Sequence, residues 1–196
     1  MATIWSNLVD LGGMARGQTL VVHGASGGMG SFAVEAGHAV GLKVIACAST
    51  PKTEFVRSLG ADHVIDGRDP ETFAQEVSAL TAGGGADLIL DVMGGPHLAA
   101  NVAAAALDGR IVVIGLMGGP DAQAPLGRMM GKRLTLFTTS LRDRPVQAKA
   151  RIVSGARRDL LPLVDRGALT PRIARRFALA DIAEAHRFME SRNHLG

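Results

Sequence analysis

Short apolar runs alternate along the chain with segments in which apolar residues recur at helical spacing. Six of the runs are rich in β-branched residues and bounded by turn residues, which is typical of buried strands. The predicted strands are Thr19–His23, Lys43–Ala48, His63–Ile65, Ala86–Asp91, Arg110–Gly115 and Arg133–Thr138. Strands that alternate with helices favour βαβ units and a parallel sheet.

The segments between the strands predict helices with one apolar stripe. The first is carried by Met29, Phe32, Ala33, Ala36 and Val40 and ends at Gly41. Others follow Pro51, cover Phe73–Leu80 and run from about residue 98 to 106. Beyond Pro145 the chain is helical with a break near Pro162, and Ile182, Ala185, His186 and Met189 share a face of the last helix. The prediction is an α/β fold of the Rossmann type, a doubly wound six-stranded parallel sheet in the order 3-2-1-4-5-6 with helices on both faces.

Composition narrows the class of protein. The chain has 196 residues, 47% of them hydrophobic and 20% charged, which is ordinary for one globular domain over residues 1–196. A lone cysteine, Cys47, argues against a disulfide framework or a cysteine-rich zinc site, so no metal ligand is predicted. No leader opens the chain, and no apolar run reaches the ~20 residues that span a bilayer. We therefore expect a cytoplasmic protein that does not enter membranes.

Charge is unevenly distributed. Residues 1–127 carry 6 Lys and Arg against 12 Asp and Glu, whereas residues 128–196 carry 15 against 6. Such a basic region permits contact with nucleic acid or acidic partners. The arginines lack the interleaved aromatic residues that would stack on bases. We therefore favour a solvated or interdomain face over nucleic-acid binding.

A glycine-rich turn follows the first strand directly and opens the first helix. It contains the pattern A-x-G-x-x-G across Ala25, Gly27 and Gly30, one residue from the dinucleotide fingerprint. Ala25 suits the tight turn, Gly27 lets the backbone approach a pyrophosphate, and Gly30 lets the helix pack closely against the strand. Glycine-rich turns of this kind also occur for purely structural reasons. The predicted cofactor contacts here are Ala25, Ser26, Gly27, Gly28, Met29 and Gly30.

The end of the second strand indicates which dinucleotide is bound. NAD-binding folds usually place an acid there for the ribose 2′-hydroxyl, but this chain has none before Glu54. Ser49 and Lys52 offer instead a hydroxyl and an ammonium to a 2′-phosphate, which predicts NADP(H). The alternative is that Ser49 caps a helix and Lys52 is solvated.

Two further glycine-rich strand ends are candidates for the nicotinamide half of the site. They are Asp91–Gly95 and Ile114–Gly119, and ligands of open α/β sheets bind beyond the carboxyl ends of the strands. Tight turns alone would also explain them. The predicted contacts are Val92, Gly94, Gly115, Leu116 and Met117.

Other reactive residues do not form a catalytic set. His186 and His194 lie far along the chain from the fingerprint, and His23 ends a buried strand, so structural roles are favoured for all three. Ser26 lacks the G-x-S-x-G context of a hydrolase nucleophile. Asp66, Asp87 and Asp91 are interpreted as strand-end or turn carboxylates. The catalytic residues stay unknown.

These motifs together resemble the medium-chain dehydrogenase/reductase superfamily, most closely its zinc-independent quinone oxidoreductases of the zeta-crystallin type. The resemblance covers essentially the whole chain, and its combination of motifs is specific although each motif alone is not. It rests on Thr3–Leu8, Val22–Gly28, Leu59–Asp62, Asp91–Gly95, Gly109–Val113 and Ala183–Ser191.

The resemblance implies roles for individual residues. Thr3 matches a position close to the nicotinamide, and Ser49 and Lys52 match positions that contact the 2′-phosphate. Relatives often have Tyr after the third strand, near the adenosine phosphate, where this chain has Gly67. The neighbouring Arg68 is a candidate substitute.

The resemblance also implies an activity, hydride transfer from NADPH to a quinone or an α,β-unsaturated carbonyl. Family members carry a GroES-like N-terminal domain that is absent from this chain, so we expect little activity from the chain alone. The alternatives are an enoyl reductase domain of a polyketide synthase and a crystallin-like protein that binds nucleic acid. The apolar edge strand at residues 133–138 predicts a homodimer.

Overall fold

Six parallel strands form one sheet in the order β3-β2-β1-β4-β5-β6 in the computed structural model, which describes residues 1–191 and 193–196. The strands are β1 (Thr19–Val22), β2 (Lys43–Cys47), β3 (His63–Ile65), β4 (Ala86–Asp91), β5 (Ala105–Val113) and β6 (Thr135–Thr138). In the middle of the sheet, Leu20 pairs with Val44 on one side and with Leu88 on the other. The strand order and the parallel pairing confirm the predicted fold.

Helices connect the strands on both faces of the sheet. They are α1 (Ala2–Ile4), which continues as a π-helix (Trp5–Leu11), α2 (Gly28–Val40), α3 (Thr53–Ser58), α4 (Pro70–Leu80), α5 (Leu98–Ala104), α6 (Leu126–Lys132), α7 (Val146–Asp159), α8 (Leu161–Asp165) and α9 (Ile182–Glu190), with 3₁₀ turns at Thr50–Lys52, Gly95–His97 and Leu179–Asp181. The predicted break near Pro162 is confirmed, since Pro162 lies in the first turn of α8. Gly41 ends α2 in the left-handed conformation, at φ +89°.

The core has two parts, one on each face of the sheet. Alternate residues of β1 point to opposite faces: Leu20 and Val22 pack with α2, α7 and the π-helix, whereas Val21 packs with α4 and α5. All three are completely buried. Burial of strands on both faces explains why their sequences read as continuous apolar runs.

The fifth strand begins earlier than the sequence predicts. The alanine-rich segment leaves the helix at Ala105, whose φ of −67° and ψ of 145° are extended, and Ala105 pairs with Ala86. Three carbonyl oxygens near this helix end, those of Val102, Ala103 and Ala105, accept hydrogen bonds from Lys132 Nζ at 3.1, 2.8 and 2.6 Å. A lysine distant in sequence thus pairs the free carbonyl oxygens at the helix end. Local helix propensity does not predict where such a helix ends.

The sixth strand begins later than predicted, at Thr135. Its first expected residue, Arg133, instead caps α6 in the left-handed conformation, at φ +53°. The helix α6 was not predicted from the sequence, and none of its residues is buried.

The last helix is present as predicted, but its apolar face is not buried. Ile182 and Met189 are 53% and 57% exposed, and His186 is exposed too.

The segment before the helix also corrects the expectation that no aromatic residue lies among the arginines. Phe177 lies there, and the Arg175 guanidinium covers its ring at 4.6 Å from the centroid.

Candidate cofactor-binding site

The fingerprint turn leaves β1 at its carboxyl end and leads directly into α2. Gly24 takes a φ of +64°, which a residue with a side chain adopts only with strain. Ala25 is buried, and its amide donates to the Cys47 carbonyl at 3.0 Å. Gly27 is the N-cap of α2 and offers no side chain to the first-turn amides. The helix start therefore has the properties of an anion-binding site.

Gly27 and Gly30 are required for different reasons. A Cβ at Gly30 would lie 2.2 Å from the Gly24 carbonyl oxygen and 2.6 Å from the Cα of Ala25, so only glycine lets α2 approach the turn. A Cβ at Gly27 would meet nothing closer than that same oxygen at 3.6 Å. Space beside Gly27 is thus left open in the fold, as a cradle for a ligand requires.

The end of β2 places Ser49 and Lys52 beside this turn. Ser49 precedes the 3₁₀ turn Thr50–Lys52, and its side chain makes no capping hydrogen bond, which argues against the helix-cap alternative. Lys52 is half-buried, and its Nζ donates to the His194 carbonyl at 3.1 Å. The Lys52 side chain is therefore partly shielded from solvent, and its contact with a 2′-phosphate stays a prediction.

The C-terminal residues lie against the fingerprint turn. The Gly196 amide donates to the Ser26 carbonyl at 2.9 Å, and a Cβ at Gly28 would lie 3.5 Å from the Gly196 carbonyl carbon. His194, far from the fingerprint in sequence, is thus close to it in the fold. Sequence reasoning missed this approach, because no local pattern connects the last residues with Lys52.

Packing explains the absence of Tyr at Gly67. A Cβ there would lie 2.7 Å from Cys47 Cβ and 2.8 Å from its Sγ, so no side chain fits. Burial also raises the pKa of the Cys47 thiol.

Arg68 is exposed and forms an ion pair with Asp66, so its guanidinium has a carboxylate partner within the chain. Its contact with cofactor stays a prediction.

A buried carboxylate organises the end of β4. Asp91 is fully buried, and its Oδ1 accepts from the amides of Met93 at 2.6 Å and Gly94 at 3.2 Å. Its Oδ2 accepts from Asn101 Nδ2 at 3.0 Å. The carboxylate therefore fixes the turn that carries Val92 and Gly94, which is more than the strand-end role expected for it.

The same network reaches β1 through His23. Asn101 Oδ1 lies 2.8 Å from His23 Nε2. Since the Asn101 amide group donates to Asp91, its oxygen accepts here and the proton lies on Nε2. Burial lowers the pKa of His23. His23 is therefore a neutral structural histidine, as the sequence indicated.

The turn after β5 packs directly on the turn after β4. Met117 donates its amide to the Val92 carbonyl at 3.0 Å, and Gly115 approaches so closely that a Cβ would lie 3.0 Å from that same oxygen. Gly94 bridges to Gly119. The structure thus brings together the predicted residues Val92, Gly94, Gly115, Leu116 and Met117.

A cavity of about 850 Å³ opens beside these turns. Thr3, Gly115 and Leu116 line it, as does Asn7, which the sequence analysis did not select. Asn7 Oδ1 accepts from Thr139 Oγ1 at 2.6 Å, and its Nδ2 donates to the Thr3 carbonyl at 2.7 Å. The remaining lining residues are Val113, Ile114, Pro120, Thr138, Thr139, Ser140, Leu141, Arg142 and Asp143. Because β6 also ends at this edge of the sheet, the polar residues that follow it could have been predicted from the sequence as part of the site.

Neither a metal centre nor a membrane span is found in the part of the chain that the structure describes. Its His, Cys, Asp and Glu residues form no group of three or more suited to a metal ion. Its helices are all too short or too polar to cross a bilayer. Zinc independence and a cytoplasmic location stay predictions.

Comparisons with known proteins agree with this geometry. A family model described as "Zinc-binding dehydrogenase" matches residues 28–153. Polyketide synthase GfsB of Streptomyces halstedii is 32% identical over 203 residues, which cover 100% of this chain and 3% of the synthase.

Solved structures show the same fold over the whole chain. The CurK enoyl reductase has a TM-score of 0.84 at 27% identity and is covered over 57% of its length. A mycobacterial protein complexed with NADPH and a mycobacterial quinone oxidoreductase each have a TM-score of 0.87 at 27% identity, covered over 61% and 60%. All three alignments include 100% of this chain.

The chain spans only a small part of the synthase and somewhat more than half of each solved neighbour. The fingerprint turn, the strand order and the turns after β4 and β5 are those expected of a dinucleotide-binding oxidoreductase. Since the matched family covers more than half of its residues, the chain belongs to the zinc-binding dehydrogenase family of the medium-chain dehydrogenase/reductase superfamily.

Proposed function

We propose that this chain binds NADP(H) as part of a reductase that transfers a hydride to a quinone or to the β-carbon of an α,β-unsaturated carbonyl. The observation that carries the proposal is the open cradle at Gly27, together with Lys52 just after the neighbouring strand β2 and no acid between the end of β2 and Glu54. A neighbour complexed with NADPH and another that is a quinone oxidoreductase support it.

The residues present fit this cofactor. We assign the pyrophosphate to the amides of Ser26–Gly30 at the start of α2 and the 2′-phosphate to Ser49 and Lys52. The nicotinamide end is assigned to Thr3 and to the turns that carry Val92, Gly94, Gly115, Leu116 and Met117. When bound, NADPH supplies the hydride and the protein supplies orientation.

The cavity lined by Thr3, Asn7 and Leu116 is assigned to the acceptor. Part of its rim is apolar and open, since Leu116 and the adjacent Met117 are 56% and 66% exposed. Such a rim suits closure by a further domain, which we propose is the GroES-like domain of the family. Exclusion of water by that domain is a reason to expect little turnover from the chain alone.

NADPH is expected to bind about tenfold more tightly than NADH, because one charge-assisted hydrogen bond to phosphate contributes roughly 1.5–3 kcal/mol. Lys52→Ala should remove most of this preference and leave the affinity for NADH nearly unchanged. Titration calorimetry with both cofactors at low salt measures the effect.

Lys43→Ala is the matched control for that experiment. Lys43 begins β2 at the opposite edge of the sheet, and its Nζ likewise donates to a backbone carbonyl, that of Leu80, at 2.6 Å. The control should lose a similar hydrogen bond but keep the preference for NADPH. Equal affinities of the wild-type protein for both cofactors would refute the NADP assignment. An equal loss of NADPH and NADH affinity in Lys52→Ala would show that the role of Lys52 is structural.

A second candidate function is the enoyl reductase step of a polyketide synthase. It is favoured by the similarity to the synthase GfsB and to the CurK enoyl reductase. Both candidates share the cofactor and hydride transfer to an electron-poor conjugated acceptor. Reduction of a crotonyl thioester in preference to 1,2-naphthoquinone, by the chain joined to a GroES-like domain, would select this candidate.

We propose that the chain forms a homodimer through β6. This edge strand pairs only with β5 among the described residues, and Leu136 and Phe137 on it are half-buried. An exposed apolar edge favours pairing with a second sheet. Light scattering at tens of micromolar should give twice the chain mass of 20.4 kDa.

Lysines on the edge should separate the two copies. Thr135 and Thr138 are exposed at the two ends of β6, and lysine on an edge strand disfavours pairing. The double substitution Thr135→Lys with Thr138→Lys is expected to give the monomer mass. Lysine at the exposed Gln147 of α7 is the control for added charge, and a monomeric wild-type protein would contradict the proposal.

A further inference from the structure

Asn7 is a buried amide that joins two parts of the cavity wall. It is 1% exposed, its Nδ2 donates to the Thr3 carbonyl at 2.7 Å, and its Oδ1 accepts from Thr139 Oγ1 at 2.6 Å. A carbonyl oxygen can only accept, so the amide nitrogen must face Thr3 and the Thr139 hydroxyl must donate its proton to Oδ1. All three residues line the cavity. Asn7 therefore ties the start of the chain to the segment after β6, which lies 132 positions away.

The chain has an unusual winding at Asn7. The residue lies in the π-helix Trp5–Leu11 rather than in a regular α-helix, and π-helical turns are rare and occur frequently at functional sites. The wide turn is closed by Gly12, whose amide donates to the Asn7 carbonyl at 3.0 Å. A Cβ at Gly12 would lie 2.7 Å from that oxygen, so the closure requires glycine at this position.

The π-helix is also anchored on α7. Trp5 is 5% exposed, and its Nε1 donates to Asp159 Oδ2 at 2.7 Å. The indole packs so closely on α7 that a Cβ at Gly155 would lie 2.1 Å from the ring. The fold thus fixes the helical segment that carries Asn7, and the hydrogen bond from Thr139 extends this order to the segment after β6.

We propose that Asn7 is a positioning residue for the nicotinamide end of the cofactor. It holds Thr3, which we assign to the nicotinamide, and Thr139 in one mutual arrangement before the cofactor binds. The proposal rests on the NADP(H) assignment made above and on the placement of the nicotinamide at this cavity. A site whose walls are already ordered loses less conformational entropy on binding. The two hydrogen bonds of Asn7 therefore add to the affinity through Thr3 and Thr139.

The test compares two ligands that share the adenosine half of the cofactor. NADPH also carries the nicotinamide half, which adenosine 2′,5′-bisphosphate lacks. Asn7→Leu keeps the approximate size of the side chain and removes both hydrogen bonds. In titration calorimetry it is expected to weaken NADPH binding about tenfold, the effect of one lost hydrogen bond of ordinary strength or slightly more, and to leave binding of the bisphosphate unchanged.

Variants of Thr139 test the same contact from its other side. Thr139→Val removes only the hydrogen bond to Asn7 and should weaken NADPH binding about fivefold. Thr139→Ser should keep the wild-type affinity, because its hydroxyl can still donate to Asn7. Since Thr139 is half-buried, these variants decide the question even where Asn7→Leu does not fold.

Thr81→Val is the matched control. Thr81 lies between α4 and β4 at the opposite edge of the sheet, and its hydroxyl donates to the Val77 carbonyl at 2.8 Å and accepts from the Gly85 amide at 2.9 Å. Its loss should lower stability without changing the affinity for either ligand. Unchanged NADPH affinity in the Asn7 and Thr139 variants, or an equal loss of both ligands, would overturn the proposal while the NADP(H) assignment stands. Binding of neither ligand by the wild-type protein would overturn the assignment itself and this proposal with it.

Discussion

Gly27→Ala is expected to weaken NADPH binding about a hundredfold while the fold keeps its stability. The substituted Cβ meets only the Gly24 carbonyl oxygen, at 3.6 Å, and the φ of Gly27 is −86°, which alanine adopts freely. The methyl group would instead fill the space that we assign to the pyrophosphate. Loss of two charge-assisted hydrogen bonds to backbone amides accounts for an effect of about this size.

Gly30→Ala should act on the fold itself. Its Cβ would lie 2.2 Å from a backbone oxygen, and because backbone cannot yield as a flexible side chain does, α2 must move away from the turn. Overpacking of this kind costs about 3 kcal/mol, which lowers the Tm of a chain this size by roughly 6–12 °C. NADPH binding should be lost as well, since the helix start is displaced.

Calorimetric melting and NADPH titration of both variants separate the two effects. Gly131→Ala is the control, because a Cβ at this glycine of α6 has nothing within 4 Å. Removal of a helical glycine there should raise stability by up to about 1 kcal/mol. Normal NADPH binding by Gly27→Ala would show that the fingerprint turn is not part of the site. A normal Tm for Gly30→Ala would contradict the close packing of α2 against the turn.

Asp91→Ala is expected to destabilise the fold by about 3–5 kcal/mol. It leaves the amides of Met93 and Gly94 and the Nδ2 of Asn101 without their acceptor, and each buried unpaired donor costs roughly 1–3 kcal/mol. Asp91→Asn should cost less, since one oxygen remains for the backbone amides. NADPH affinity should fall too, because the turn with Val92 and Gly94 is no longer fixed.

Asp87→Ala is the matched control for this prediction. Asp87 lies on the same strand near its opposite end, and among the described residues its carboxylate accepts one hydrogen bond, at Oδ2 from the Thr19 amide at 2.7 Å. It should cost about 1 kcal/mol and leave NADPH affinity unchanged. Urea unfolding measures the stability of both variants, and NADPH titration measures their affinity. Equal losses of stability for Asp87→Ala and Asp91→Ala would show that the buried network adds nothing.

The sequence by itself determined the sheet and the fingerprint turn. Strands buried on both faces must be apolar at consecutive positions, so Thr19–Val22 and Ala86–Asp91 stand out from the amphipathic helices between them. The turn could be found because its demands are local: Gly24 needs a positive φ, and Gly30 must lie next to a backbone oxygen six residues earlier. Positions that only glycine can occupy can be recognised in the sequence.

Only the tertiary structure decided which distant residues complete the site. His194 lies beside Lys52, Asn101 joins Asp91 to His23, and Gly67 is fixed by Cys47. Each contact joins residues between 10 and 142 positions apart. Hydrogen bonds and close packing of this kind depend on how helices and strands are placed in space, and neither a hydrophobic period nor a helix cap encodes that placement. The strand ends could therefore be predicted, but the residues that fix them could not.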